Sequence, residues 1–302
     1  MVNILIALIS LIVLIKSADI FIDQSTSLAK KIKVSGFFIG FTLIALGTSL
    51  PDLVVSSYST ISGNQQMAIS TFLGAIITKT SLLLGIIAIF SNYKLEEIDI
   101  KRNIPLNLGI YILLLILLII FNFQMPWYLG IITISILIAA TFIANKNNHV
   151  TKLKSKTVFN PFLLILSFVL VIFSGMFTVD YFVLIAEQFN IAQTTIGYFV
   201  LAMGTTAPEL ITSLTAIKKD NLHISLGNIL GASLFDILLV SGISSFFATL
   251  HFTDFKLDFV FLIVATIIFF MFAIFGKKYY ITKKEGIGLI LVYVIFILIQ
   301  MV

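Results

Sequence analysis

Two six-residue stretches, 157 residues apart, cut into an otherwise apolar chain with the same residue types: Gly47-Thr48-Ser49-Leu50-Pro51-Asp52 and Gly204-Thr205-Thr206-Ala207-Pro208-Glu209. Each brings a glycine, two hydroxyls, a proline and a carboxylate. Proline lacks the amide donor that a helix interior needs, and its ring clashes with the preceding turn. Each stretch therefore predicts a helix that kinks or breaks. A carboxylate at membrane depth is costly and marks a functional site by default. Freed carbonyls, hydroxyls and carboxylates are hard oxygen ligands, the kind that sodium and calcium take. The pair predicts the core of an ion site.

Composition fixes the surroundings. Of 302 residues, 59% are hydrophobic and 11% charged, and the mean hydropathy is +1.13. A soluble domain could not hide that much apolar surface, so the expectation is an all-α polytopic protein of the lipid bilayer. The absence of cysteine excludes disulfides and thiolate metal sites. Ten candidate spans lie near residues 2–24, 34–60, 66–91, 104–122, 126–144, 160–187, 193–217, 223–249, 257–275 and 284–301. The first run, Met1 to Ile15, has no basic lead and reads as a retained span rather than a secretory signal.

The basic residues test this count. With ten spans, one side of the membrane receives Lys30, Lys31, Lys33, Lys94, Lys101, Arg102, Lys146, Lys152, Lys154, Lys156, Lys218, Lys219, Lys277, Lys278, Lys283 and Lys284. The other receives only Lys16 and Lys256. Such a bias makes the rich side cytoplasmic and puts both termini outside. The net charge of +5 is then a topology signal, with no nucleic-acid partner implied.

A slide of 157 residues aligns the halves without a gap through their most polar part. Ile39 and Gly40 meet Ile196 and Gly197, Pro51 and Ser56 meet Pro208 and Ser213, Gly74 and Ala75 meet Gly231 and Ala232, and Gly85 meets Gly242. Asp52 meets Glu209. The division expected is a first five-helix repeat at 1–145, a basic cytoplasmic linker at 146–159 and a second repeat at 160–302. Five is odd, so the second repeat enters the membrane inverted, a known transporter plan with its site at the midplane. The path should run between helices 2, 3, 7 and 8.

Asp52 and Glu209 facing each other can hold a divalent cation, with Thr48, Ser49, Thr205 and Thr206 adding hydroxyls and carbonyls. The bland reading of a threonine in a membrane helix is a bond back to its own helix. Helix 8 carries Gly227-Asn228-Ile229-Leu230-Gly231-Ala232-Ser233-Leu234-Phe235-Asp236, where Asp236 is a third intramembrane acid that would serve as ligand, proton acceptor or salt-bridge partner. Its counterpart at the same offset is Lys79. A lysine midway along a span needs a partner or loses its proton, and Asp236 is the obvious candidate. Asp19, Asp23 and Asp180 are expected at solvated span ends on the outer side, and Glu96, Glu97 and Asp99 on a solvated loop. His149, His223 and His251 make no metal spacing.

The motifs GTSLPD, GTTAPEL and GNILGASLFD resemble the cation/calcium antiporter superfamily, in particular the prokaryotic sodium/calcium exchanger family. The resemblance covers essentially the whole chain. It implies ten spans in two inverted halves, with calcium ligands at Asp52 and Glu209. It also implies hydroxyl ligands at Thr48, Ser49, Thr205 and Thr206, and an acid of the site at Asp236. The implied function is exchange of calcium for sodium by alternating access. The implied home is a prokaryotic plasma or inner membrane, with no cofactor and with inorganic cations as partners. Four departures from the family pattern stand out. Asp52 stands for glutamate, Ser70-Thr71 for a glycine-asparagine pair, Ala75 and Ala232 for serines, and Lys79 for an asparagine or acid. Lys79 differs in kind, because a fixed positive charge beside a cation site repels its substrate.

Other readings follow from Lys79. It would make the exchanger proton-coupled or alter its stoichiometry, or it would lock the core of a homologue that no longer transports. An intramembrane hydrolase using Ser49 with Lys79 as base leaves Thr206 and the paired acids without a role. The sequence leaves the oligomeric state open.

Overall fold

A computed structural model describes residues 2–31, 45–91, 95, 97–145, 158–218, 222–275 and 279–300. Most of the predicted linker at 146–159, the opening of the second predicted span and most of the loop lysines lie outside the described residues, as do Ile39 and Gly40.

The described chain is almost entirely helical. Lipid offers no hydrogen bonds, so each segment must satisfy its own backbone, and helices do so without a partner. The helical units are α1 (Val2–Lys31), α2 (Ala45–Thr48 and Leu50–Ile61), α3 (Gln65–Ile77, a π-helical turn Thr78–Leu83, then Leu84–Ser91) and α4 (a π-helical turn Asp99–Asn103, then Ile104–Ile120). They continue as α5 (Trp127–Asn145), α6 (Pro161–Phe189) and α7 (Gln193–Ile196, a π-helical turn Gly197–Leu201, Ala202–Thr205, then Ala207–Lys218). The last are α8 (Leu222–Leu234, a π-helical turn Phe235–Val240, then Ser241–Phe247), α9 (Lys256–Phe275) and α10 (Lys283–Gln300). One antiparallel pair of two-residue strands departs from the all-α expectation. In it β1 (Gln124–Met125) meets β2 (Leu250–His251) and ties the α4–α5 turn to the α8–α9 turn.

Among the described residues, six helical stretches are long and apolar enough to cross a membrane: Val2–Phe21, Gln65–Phe90, Asp99–Ile120, Pro161–Phe189, Ser225–Phe247 and Thr253–Phe275. The other predicted spans fall short for visible reasons. α2 and α7 break at the two motifs, α5 has an apolar part of only Trp127–Ile143, and α10 opens on Lys283, Lys284 and Glu285.

The polar sequences are in the middle. α3 and α8 are buried over 83% of their most apolar windows, against 33% for α1 and α6. Large side chains such as Leu5, Ile12, Phe162, Ile165 and Phe173 remain exposed on α1 and α6, as lipid-facing residues should be. These two helices pack antiparallel, with Ser10 meeting Thr178 at 3.1 Å and Gln24 accepting the Asn160 amide at 2.8 Å. Asp23, beside Gln24, therefore lies at the opposite end of this pair from Asp180, rather than on the same outer side. Asp180 itself is exposed and accepts from Tyr58.

Close approach is built on glycine pairs. A Cβ on Gly130 of α5 would fall 2.5 Å from the carbonyl oxygen of Gly242 in α8, and one on Gly85 of α3 would fall 2.7 Å from that of Gly286 in α10. Without lipid-excluding hydrophobicity to join helices, such small-residue contacts supply the packing. The main apolar cluster then joins Phe72 and Ile76 of α3, Tyr111 and Leu114 of α4, Ile237 of α8, Phe259 of α9 and Phe296 of α10.

Candidate functional site

Both motifs break their helices at the same place. In α2 the regular helix stops at Thr48 and resumes at Leu50; in α7 it stops at Thr205 and resumes at Ala207. The joints, Ser49 (φ −81°, ψ 0°) and Thr206 (φ −81°, ψ −2°), share one conformation at the 157-residue offset. The proline follows as the second residue of each new helix, where its missing amide costs nothing. The acid comes next, in the first turn, where the helix N-terminus favours negative charge.

α3 and α8 carry the remaining charged groups on matched irregularities. The π-helical turns Thr78–Leu83 and Phe235–Val240 are also separated by 157 residues, and Lys79 and Asp236 are their second residues. A π-turn adds a residue to the helical repeat and is frequent at functional sites. Here it sets the phase at which these two side chains leave their helices.

The four charged groups converge. The Lys79 ammonium lies 3.0 Å from Asp52 Oδ2, 3.0 Å from Glu209 Oε1 and 2.5 Å from Asp236 Oδ2. All four side chains have 0% exposure. Lys79 thus meets Asp236, and it also meets the two acids of the broken helices. With no exposure it does not reach an interface. Asp52 Oδ1 and Asp236 Oδ1, the second oxygens of the two carboxylates, are buried and have no hydrogen-bond partner among the described residues. Three carboxylates against one ammonium leave two negative charges over, at a depth where an uncompensated charge is expensive.

The hydroxyl residues line the same joints. Thr48 and Thr205 are fully buried and Ser49 and Thr206 nearly so. Thr205 donates to Leu201 O at 2.8 Å and Thr206 to Ala202 O at 2.9 Å, each bond running back along its own helix. That spends the proton and keeps the oxygen lone pairs available to a cation. Ser49 reaches across to Ala232 O of α8 at 3.4 Å, linking the first joint to the helix of Asp236. Among the described residues, no group of three or more His, Asp and Glu side chains is arranged to hold a metal ion as it stands. The point on which the three acids converge is held by Lys79 Nζ.

Sequence reasoning passed over one buried acid and misread another. Asp258, in the first turn of α9, accepts from Tyr198 Oη at 2.6 Å and Gln300 Nε2 at 2.9 Å, joining α7, α9 and α10. Its position at a helix start was the available signal. Asp99 is buried and accepts from Asn103 at 2.8 Å, so only Glu97, paired with Lys101, keeps the expected solvated face; Glu96 lies outside the described residues. Asp99 lies in the π-helical turn Asp99–Asn103, ahead of the start expected at Ile104, and so within a helix rather than on a loop.

Residues 2–145 and 159–302 match the family model described as sodium/calcium exchanger protein. The chain is 27% identical to the sodium/calcium exchanger MaX1 of Methanosarcina acetivorans, with 99% of this chain and 98% of that one covered. It is 29% identical to an uncharacterized membrane protein of Methanocaldococcus jannaschii, with coverage of 95% and 94%. A solved structure of the sodium-calcium exchanger NCX_Mj, soaked with 2.5 mM Na+ and 0.1 mM Ca2+, superposes with a TM-score of 0.71 at 29% identity. That match covers 98% of this chain and 97% of the other.

Proposed function

This chain belongs to the sodium/calcium exchanger protein family, and from that premise we propose that it exchanges calcium for sodium across a prokaryotic plasma or inner membrane, by alternating access to the cluster of Asp52, Glu209 and Asp236. One observation carries the reading. Three fully buried carboxylates surround a single ammonium, and their charge calls for two more positive charges, which one calcium or two sodium ions would bring. Asp52 Oδ1 and Asp236 Oδ1, buried and without a hydrogen-bond partner among the described residues, would be the first ligands. Thr48, Ser49, Thr205 and Thr206 add oxygens from the two helix joints. Calcium takes six to eight oxygens, so carboxylates alone would not complete its shell.

Antiport follows from competition. Sodium and calcium need the same oxygens, and neither can leave the buried acids bare without a large electrostatic cost. The site therefore turns to the other side only while it holds one cation or the other, and the two move in opposite directions. The matched relatives are named as sodium/calcium exchangers, which favours sodium over the proton as counter-ion. The recurrence of joints, π-turns and charged residues at one offset supports ten spans in two inverted five-helix repeats. The repeats are taken as 1–145 and 160–302, with a cytoplasmic linker at 146–159 and both termini outside.

The test is calcium-45 uptake into proteoliposomes driven by a sodium gradient, with Glu209→Gln alongside. The parent protein should take up calcium and the variant should not. Full uptake by Glu209→Gln would show that the cluster is not the transport site.

A further inference from the structure

We propose that Lys79 is a tethered counter-ion that stands in for one sodium, so that two sodium ions exchange for one calcium and the cycle moves no net charge. The inference rests on the exchanger reading above and fixes its stoichiometry.

The argument is one of charge in a chamber without water. Ionised carboxylates at zero exposure must be nearly neutralised in every closed state, because desolvation of an unmatched charge is too costly to leave standing. Three acids alone would be matched by three sodium ions, whereas one calcium would leave a negative charge over. Such a site would carry one net charge per cycle. Lys79 changes the sum. Its ammonium contacts all three acids, at 3.0, 3.0 and 2.5 Å, and its own side chain has no exposure. The turn that bears it, Thr78–Leu83, is itself buried at Thr78, Lys79, Thr80, Ser81 and Leu83, so the ammonium sits among the acids and not at an interface. The remaining two charges are met equally by two sodium ions or one calcium.

The geometry lets ammonium and substrate share the acids. Nζ uses Asp52 Oδ2 and Asp236 Oδ2, while Oδ1 of each stays without a hydrogen-bond partner among the described residues. A carboxylate can bridge two cations through its two oxygens. Lys79 therefore stays in place as the substrates change.

Proteoliposomes clamped at 0 and at 100 mV with potassium and valinomycin test this. One net charge per cycle would change the steady-state calcium accumulation about 40–50-fold over 100 mV. The parent protein should show sodium-driven accumulation that is unchanged by the clamp, with two sodium-22 ions moving per calcium-45. Lys79→Arg, which keeps the charge, should leave whatever sodium-driven flux it retains insensitive to the clamp, and Lys79→Gln should become voltage-sensitive. A voltage-dependent parent, or three sodium ions per calcium, would overturn the proposal while leaving the exchanger intact. Voltage independence in an active Lys79→Gln would overturn the role given to Lys79. Absence of sodium-driven uptake by the parent would overturn the exchanger reading itself, and this inference with it.

Discussion

Lys79→Met removes the ammonium and keeps most of the side chain's bulk, so its effect on stability can be worked from the site. At about 3 Å and an effective dielectric near 20, each ammonium–carboxylate contact is worth about 5–6 kcal/mol in Coulomb energy alone. Desolvation and repulsion among the acids offset much of that. Removing one partner from a buried ion pair costs about 3–5 kcal/mol in practice, and here three acids lose the same partner. The variant should be destabilised by about that amount in chelator and low sodium. Calcium should restore it. A ligand at about a hundred times its Kd contributes about 2.7 kcal/mol, and at a thousand times about 4.1. Because the ammonium no longer opposes the cation, the variant should also bind calcium at least about tenfold more tightly, adding about 1.4 kcal/mol to its calcium-induced shift. Thermal melts of the purified protein in detergent, with EDTA and with graded calcium, measure both effects. Equal melting of parent and variant in EDTA, together with equal calcium shifts, would refute the idea that Lys79 shields the acids.

Other substitutions probe separate parts of the structure. Asp52→Asn removes one of the three acids and should lower calcium affinity at least about tenfold, whereas Asp52→Glu should retain sodium-driven uptake; both are read by calcium-45 binding and flux, and retention of parent affinity by Asp52→Asn would exclude Asp52 as a ligand. Gly130→Ala would place a Cβ 2.5 Å from the Gly242 carbonyl oxygen and should cost about 1–3 kcal/mol, seen as a lower melting temperature. Gly109→Ala, with nothing within 4 Å of its Cβ, should stay within about 0.5 kcal/mol of the parent; a larger loss there would count against the packing of α4. Asn160→Ala removes the cap that accepts from the Phe162 and Leu163 amides and should cost about 1 kcal/mol, and an unchanged melt would show that α6 does not depend on it.

Much of the protein was legible before any coordinates. The apolar composition dictates helices in lipid, because only a segment that closes its own hydrogen bonds is tolerated there. The offset of 157 residues carried the matched helix breaks, since proline acts on its own turn whatever surrounds it. The four charged groups that converge, Asp52, Lys79, Glu209 and Asp236, could be named as a candidate site because charge inside an apolar run is visible in one dimension. Span ends were less legible. Asp99 looked solvated and is buried, and Asp23 and Asp180, expected on one side, lie at opposite ends of the α1–α6 pair.

What tertiary structure alone decided is the centre. From the sequence, Lys79 has a partner in Asp236; in the fold it meets three acids from three other helices, α2, α7 and α8. The direction of a side chain from a helix depends on every residue of twist before it, and the π-turns at Thr78–Leu83 and Phe235–Val240 shift that phase without leaving a mark in the residue types. The distance between helices depends in turn on pairs such as Gly130 with Gly242, whose members lie far apart in the chain. Hydropathy and motif are local properties and survive in the sequence. Convergence on one point is a property of phases and spacings between helices, and it exists only once they pack.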